Sequence, residues 1–118
     1  MNQLIWYPKC TTCQAARKVL DNYGIPYTLR DIKEERLNVE ELCELVKKSN
    51  LTVQQFFNTS GMKYRELNLK DQMEKLSDEE KMVLLASDGM LVKRPIFVTT
   101  TSVIVGKKEK EYEKLTKI

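Results

Sequence analysis

Two cysteines separated by two threonines, Cys10-Thr11-Thr12-Cys13, follow directly on the apolar residues 4–7 and Pro8, and a helical pattern begins at once after them. No other segment constrains the fold so tightly. Residues 4–7 are short, apolar and aromatic, which suits a buried strand. Ala15, Ala16, Val19, Leu20 and Tyr23 recur at helical spacing, and Gly24 with Pro26 supplies the stop signal of a helix C-terminus. A second strand pattern over residues 27–32 then follows. Strand, cysteine turn, helix and strand make a βαβ unit, whose two strands run parallel with a right-handed crossover.

The middle of the chain reads as helical. Three starts are announced by a cap residue with an acid or amide three positions on: Asn38 with Glu41, Thr52 with Gln55, and Ser77 with Glu80. Leu42, Leu45 and Val46 give the first an inward face, Phe56 and Phe57 the second, and Met82, Val83, Leu85 and Ala86 the third. NTSGMKYRELNLK, between the last two, reads as a polar connector. Pro95 opens IFVTT, a turn at residues 100–102 leads into VIVG, and two strands so closely joined predict an antiparallel hairpin. Residues 107–115 form a charged helix with few apolar anchors. The order is therefore βα, β, three helices, ββα: an α/β domain of four strands with helices on the sheet faces.

At 118 residues with 42% hydrophobic content, the chain suits one soluble domain spanning 1–118. Its apolar runs are far short of the ~20 residues that cross a bilayer, and MNQLIWYPK lacks the apolar core of a signal peptide. The expected compartment is the cytoplasm, with no membrane association. Twenty basic residues interleave with 17 acidic ones, for a net charge of +3, which describes a solvated surface and not a nucleic-acid footprint.

Cytoplasmic thiols are kept reduced, so the cysteine pair points to redox chemistry or metal binding before a structural staple. Zinc requires four ligands; the chain has no histidine, and its third cysteine, Cys43, sits beside the Leu42, Leu45, Val46 face and is expected to be packed. That leaves only an intersubunit Cys₄ arrangement as a metal alternative. Cys10, where strand hands over to helix, lies near free N–H groups and the positive end of the helix dipole, and Lys9 adds a positive charge; both favour thiolate. Cys13, one turn on, shares its face and lies within disulfide reach. Cys10 is then the attacking, exposed sulfur and Cys13 the resolving one. Two small packed residues in a turn remain the alternative.

YPKCTTCQAARKVL together with LVKRPIFV resembles the arsenate reductase ArsC family and its Spx/MgsR branch, over essentially the whole chain. The resemblance implies a thioredoxin-like, ArsC-type four-stranded mixed sheet flanked by helices, with a helical insertion between the second and third strands. It implies that Pro95 is a cis-proline facing the cysteines and that Arg94 lies near the reactive sulfur, where a guanidinium stabilises a thiolate or binds an anion. Cys10, Cys13 and Arg94 are thus the expected catalytic set, with Lys9, Thr11, Thr12 and Pro95 as binding residues; Lys93 fits a solvated surface charge.

The departures from the family pattern bear on function. Where glutaredoxin-coupled arsenate reductases carry a Ser and then an Arg, this chain has Cys13 and Gln14. Asn58 and Gly106 stand in the regions of two further anion-holding arginines, so only Arg94 survives and arsenate reduction is not expected. A second cysteine allows an internal disulfide. The expected function is thiol–disulfide exchange by a monomer without bound cofactor, reduced by glutathione, glutaredoxin or thioredoxin. The alternative is a Spx-like redox switch that binds the RNA polymerase α subunit, although KKSNLTVQQFF lacks the glycine that Spx proteins present there.

Overall fold

The computed structural model describes residues 2–116. Its elements are β1 (Gln3–Trp6), α1 (Thr11–Asn22), β2 (Thr28–Asp31), α2 (Val39–Ser49), α3 (Met62–Glu66), α4 (Leu69–Gln72), α5 (Asp78–Ser87), β3 (Ile96–Val98), β4 (Val103–Val105) and α6 (Glu109–Lys114). Short 3₁₀ turns cover Val53–Phe56, Met73–Lys75 and Gly89–Leu91. The chain divides into two compact units. Of the described residues, the first holds 2–31 and 94–116, and the second holds 32–93.

The first unit is built on a mixed four-stranded sheet in the order β2-β1-β3-β4. β1 pairs parallel with β2, Leu4 facing Leu29, and antiparallel with β3, Leu4 facing Phe97; Phe97 in turn faces Ile104 of β4. Side chains alternate across a strand, so Leu4, Phe97 and Ile104 share one face, and α1 and α6 cover it with Ala16, Leu20 and Tyr112. The α1 stop signal is a complete Schellman motif: Gly24, at φ 68°, donates its N–H to the Asp21 carbonyl at 3.0 Å, and Ile25 donates to that of Leu20 at 3.1 Å. Ile25 packs back on the same core. Helix, stop and parallel return to β2 all agree with the expected βαβ unit, as does the hairpin of β3 and β4.

The second unit is the helical insertion between β2 and β3. Asn38 and Glu41 form a reciprocal capping box at the start of α2, and Ser77 and Glu80 do the same for α5. Thr52 and Gln55 also form the box, but it opens only a single 3₁₀ turn. The reason is competition from pairing. Phe57 is extended and bridges Val92, while Asn58 donates to the Leu91 carbonyl at 2.8 Å and Lys93 to that of Phe56 at 2.7 Å. The expected polar connector contains α3 and α4, each pinned by one buried residue, Tyr64 and Leu69. On α5, Leu85 is buried as expected, whereas Val83 is 58% exposed.

Candidate active site

Tyr7, Pro8, Lys9 and Cys10 form a β-turn closed by the Cys10 N–H, which donates to the Tyr7 carbonyl at 3.0 Å. Proline at its second position suits such a turn, because its fixed φ is already that of the bend. Cys10 then caps α1. Its backbone is extended, at φ −86° and ψ 117°, and its Sγ accepts the Cys13 N–H at 3.4 Å. A serine or aspartate oxygen commonly caps a helix this way; here the acceptor is a sulfur. The next N–H, that of Gln14, goes to the Cys10 carbonyl at 3.0 Å, which starts the helical ladder.

The two thiols are free and differ in setting: Cys10 is half-buried and Cys13 is fully buried. Burial is the largest single influence on the Cys10 thiol and pushes its pKa up, but hydrogen bonds from the Cys13 side chain and N–H, followed by a hydrogen bond and the positive charge of Arg94, outweigh it and hold the thiol below its ordinary value. The Cys13 thiol is pushed up to about 12, first by burial and then by its hydrogen bond to Cys10 and the charge there. One sulfur is thus poised to ionise and the other to keep its proton.

Arg94 comes to the turn from the far end of the sequence. Its guanidinium lies over the Tyr7 ring, 5.6 Å from the centroid, an arrangement that orients the cation without neutralising it. The Arg94–Pro95 peptide is cis, and the Pro95 carbonyl accepts the Gly106 N–H at 2.7 Å, closing the end of the β3–β4 hairpin. Gly106 adopts φ 87°, a left-handed backbone that suits glycine and disfavours a long side chain. The Tyr112 hydroxyl donates to the Gly106 carbonyl at 3.2 Å.

The structure therefore brings Cys10, Cys13 and Arg94 together, with Pro95 following Arg94 across the cis peptide. The cation that acts on Cys10 is Arg94, while Lys9, Thr11 and Thr12 are exposed around the turn. Cys43 and Asn58 belong to residues 32–93, the second unit. Among the described residues no cluster of histidine, cysteine or carboxylate side chains could hold a metal ion, and no helix is long and apolar enough to cross a membrane. Two contributors were absent from the sequence-based set. Tyr7 is the platform beneath Arg94, and the Gln14 side chain donates from Nε2 to the Pro8 carbonyl at 2.6 Å. For Gln14 a signal existed, because it lies one helical turn after Cys10 and side chains lean toward the helix N-terminus.

A mixed sheet with a Cys-x-x-Cys turn after its first strand and a cis-proline before its third defines a thioredoxin-like protein. The ArsC family model matches residues 5–115, and the chain belongs to the ArsC family. The uncharacterised protein YusI of Bacillus subtilis is 50% identical over 108 residues, covering 92% of each chain. The crystal structure of an ArsC-family-related protein from Bacteroides fragilis superposes with a TM-score of 0.94 at 46% identity, covering 97% of this chain and 96% of that one. The global transcriptional regulator Spx of Staphylococcus haemolyticus is 28% identical over 111 residues, 94% of this chain and 83% of Spx.

Proposed function

We propose that the protein is a thiol–disulfide oxidoreductase of the cytoplasm that uses Cys10 and Cys13 as its dithiol. The observation that carries this is the opposed setting of the two sulfurs, Cys10 capping α1 beside Arg94 and Cys13 buried one turn behind it. The Cys10 thiolate attacks one sulfur of a substrate disulfide and forms a mixed disulfide, and the other substrate sulfur leaves as a thiolate that takes a proton from solvent. Cys13 then gives up its proton and attacks the Cys10 Sγ. The internal disulfide forms, and the remaining substrate sulfur departs. Two electrons pass from the dithiol to the substrate, and a thiol reductant such as glutathione, glutaredoxin or thioredoxin returns them. Lys9, Thr11 and Thr12, exposed on either side of Cys10 in the chain, and Pro95, next after Arg94, would contact the substrate.

An oxyanion such as arsenate is a poor fit as substrate. Gly106 spends its N–H on Pro95 in a backbone that disfavours arginine, and Gln14 and Asn58 carry no charge, so Arg94 alone would have to hold the anion. The test is exchange with glutathione disulfide or an oxidised protein substrate. Cys13→Ser is expected to accumulate a mixed disulfide on Cys10 that the wild type resolves; a reduced wild type that exchanges no faster than free cysteine would sink the proposal. A coupled arsenate assay with glutaredoxin and glutathione supplied is expected to show no turnover above background.

The similarity to Spx along 94% of the chain supports a second reading, in which the same dithiol switches binding to the RNA polymerase α subunit. A pull-down with the α C-terminal domain, reduced and oxidised, separates the two. Redox-dependent capture would favour the switch, and its absence the oxidoreductase.

A further inference from the structure

We propose that Gln14 is a positioning residue for the attacking sulfur, holding the turn before Cys10 in one of its two available conformations through a hydrogen bond to the Pro8 carbonyl. This inference rests on the dithiol chemistry proposed above and identifies what fixes its geometry. A β-turn with proline at the second position is compatible with both type I and type II, which differ by a flip of the central peptide. In the Tyr7–Cys10 turn that central peptide carries the Pro8 carbonyl. Type II would require positive φ at Lys9, and among the described residues only Asn50, Asn68, Gly24 and Gly106 have it, so the peptide stands unflipped. Gln14 grips that carbonyl, with its Nε2 2.6 Å from the oxygen.

The grip follows from helix geometry. With Cys10 as N-cap, Gln14 is the fourth residue of α1, the position whose side chain leans back over the first turn and in many helices makes an apolar contact with the residue before the cap. Here the contact is polar and reaches one residue further, to Pro8. The Gln14 backbone N–H also binds the Cys10 carbonyl at 3.0 Å, so one residue ties both the turn and the cap to the same helical turn. Releasing the Pro8 peptide would let residues 8–10 swing and carry the Cys10 Sγ out of line with the Cys13 N–H, whose hydrogen bond favours the thiolate.

Two substitutions test the point. Gln14→Met keeps the length and helix propensity and removes the donor; Gln14→Lys keeps a donor of similar reach but adds charge, which about 1 M salt screens. The readout is the rate of Cys10 alkylation against pH in a Cys43→Ser background, with near-ultraviolet circular dichroism to establish that each variant is folded. For Gln14→Met the profile is expected to move to higher pH, with alkylation at pH 7 slower by about threefold, the equivalent of one modest hydrogen bond. Gln14→Lys at high salt is expected to return to the wild-type profile. A Gln14→Met profile that coincides with wild type overturns the proposal, and so does a Gln14→Lys profile that matches Gln14→Met, since donation would then be irrelevant. A wild type that ionises like an ordinary thiol would instead remove the oxidoreductase proposal, and this one with it.

Discussion

Arg94 is held over Tyr7 and acts on Cys10 by both hydrogen bonding and charge, so its removal subtracts two of the influences that keep the thiol acidic while leaving burial, which opposes ionisation, in place. Arg94→Ala is therefore expected to move Cys10 ionisation to higher pH and to slow alkylation by iodoacetamide at pH 7 by roughly tenfold, the worth of one charge-assisted hydrogen bond. Lys114→Ala, in α6, removes only an exposed pairing with Glu111 and is expected to leave the profile unchanged. Equal effects of the two substitutions would mean that net charge, not the Arg94 contact, sets the reactivity. The Cys13 N–H to Cys10 Sγ distance of 3.4 Å brings the two thiols together at one helix turn, and oxidation is expected to join Cys10 to Cys13 and leave Cys43 free. Peptide mapping of the oxidised, unreduced protein decides it; a dominant crosslink to Cys43 would overturn the pairing.

At the scale of elements, what the sequence disclosed follows the range of the interactions. The cysteine turn, the Gly24 stop and the boxes at Asn38 and Ser77 are written within a few residues, and each was legible. Thr52 and Gln55 carry the same box, yet their helix stops after one turn because Phe57 bridges Val92, a contact distant in sequence. α3 and α4 were illegible for the opposite reason, since each is too short to display a period and holds one buried anchor. α6 carries glutamates and lysines and reads as weakly attached, but Tyr112 is fully buried, stacks edge-on against Phe97 with centroids 5.8 Å apart, and donates to the Gly106 carbonyl. Tyr112→Phe keeps the ring and strands that carbonyl, for an expected cost of about 1–2 kcal/mol in urea denaturation. Tyr112→Ala, which empties the site, is expected to cost about 3–5 kcal/mol. Similar losses from both would assign the anchor to the hydroxyl, and no loss from either would detach α6 from the core.

At the scale of the whole molecule, the parallel β1–β2 pair and the antiparallel β3–β4 pair followed from the βαβ unit and the hairpin, whereas the placing of β3 beside β1 did not. Nor did the Arg94 approach to Cys10, because it depends on which strand lies beside β1; only the family resemblance suggested it. That placement has a consequence for stability. Cys10 ionises more readily in the native protein than at the ordinary thiol value of 9.0, so the unfolded chain holds the extra proton between the two values and folding gains as pH rises. Its contribution is present above 9.0 and is lost as pH falls through the native value. Cys13 and Tyr112, both pushed up to about 12 in the native state, act in the opposite direction. Their contributions are whole below the ordinary values of 9.0 and 10.0 and disappear as pH climbs from there toward 12. Urea midpoints of the reduced protein are thus expected to rise toward pH 9 and fall beyond it. Cys10→Ser should remove the rise while keeping the fall, and Tyr112→Phe should soften the fall while keeping the rise. A Cys10→Ser curve parallel to that of the wild type below pH 9 would mean that the native fold does not favour the Cys10 thiolate, leaving a dithiol with no sulfur prepared to attack.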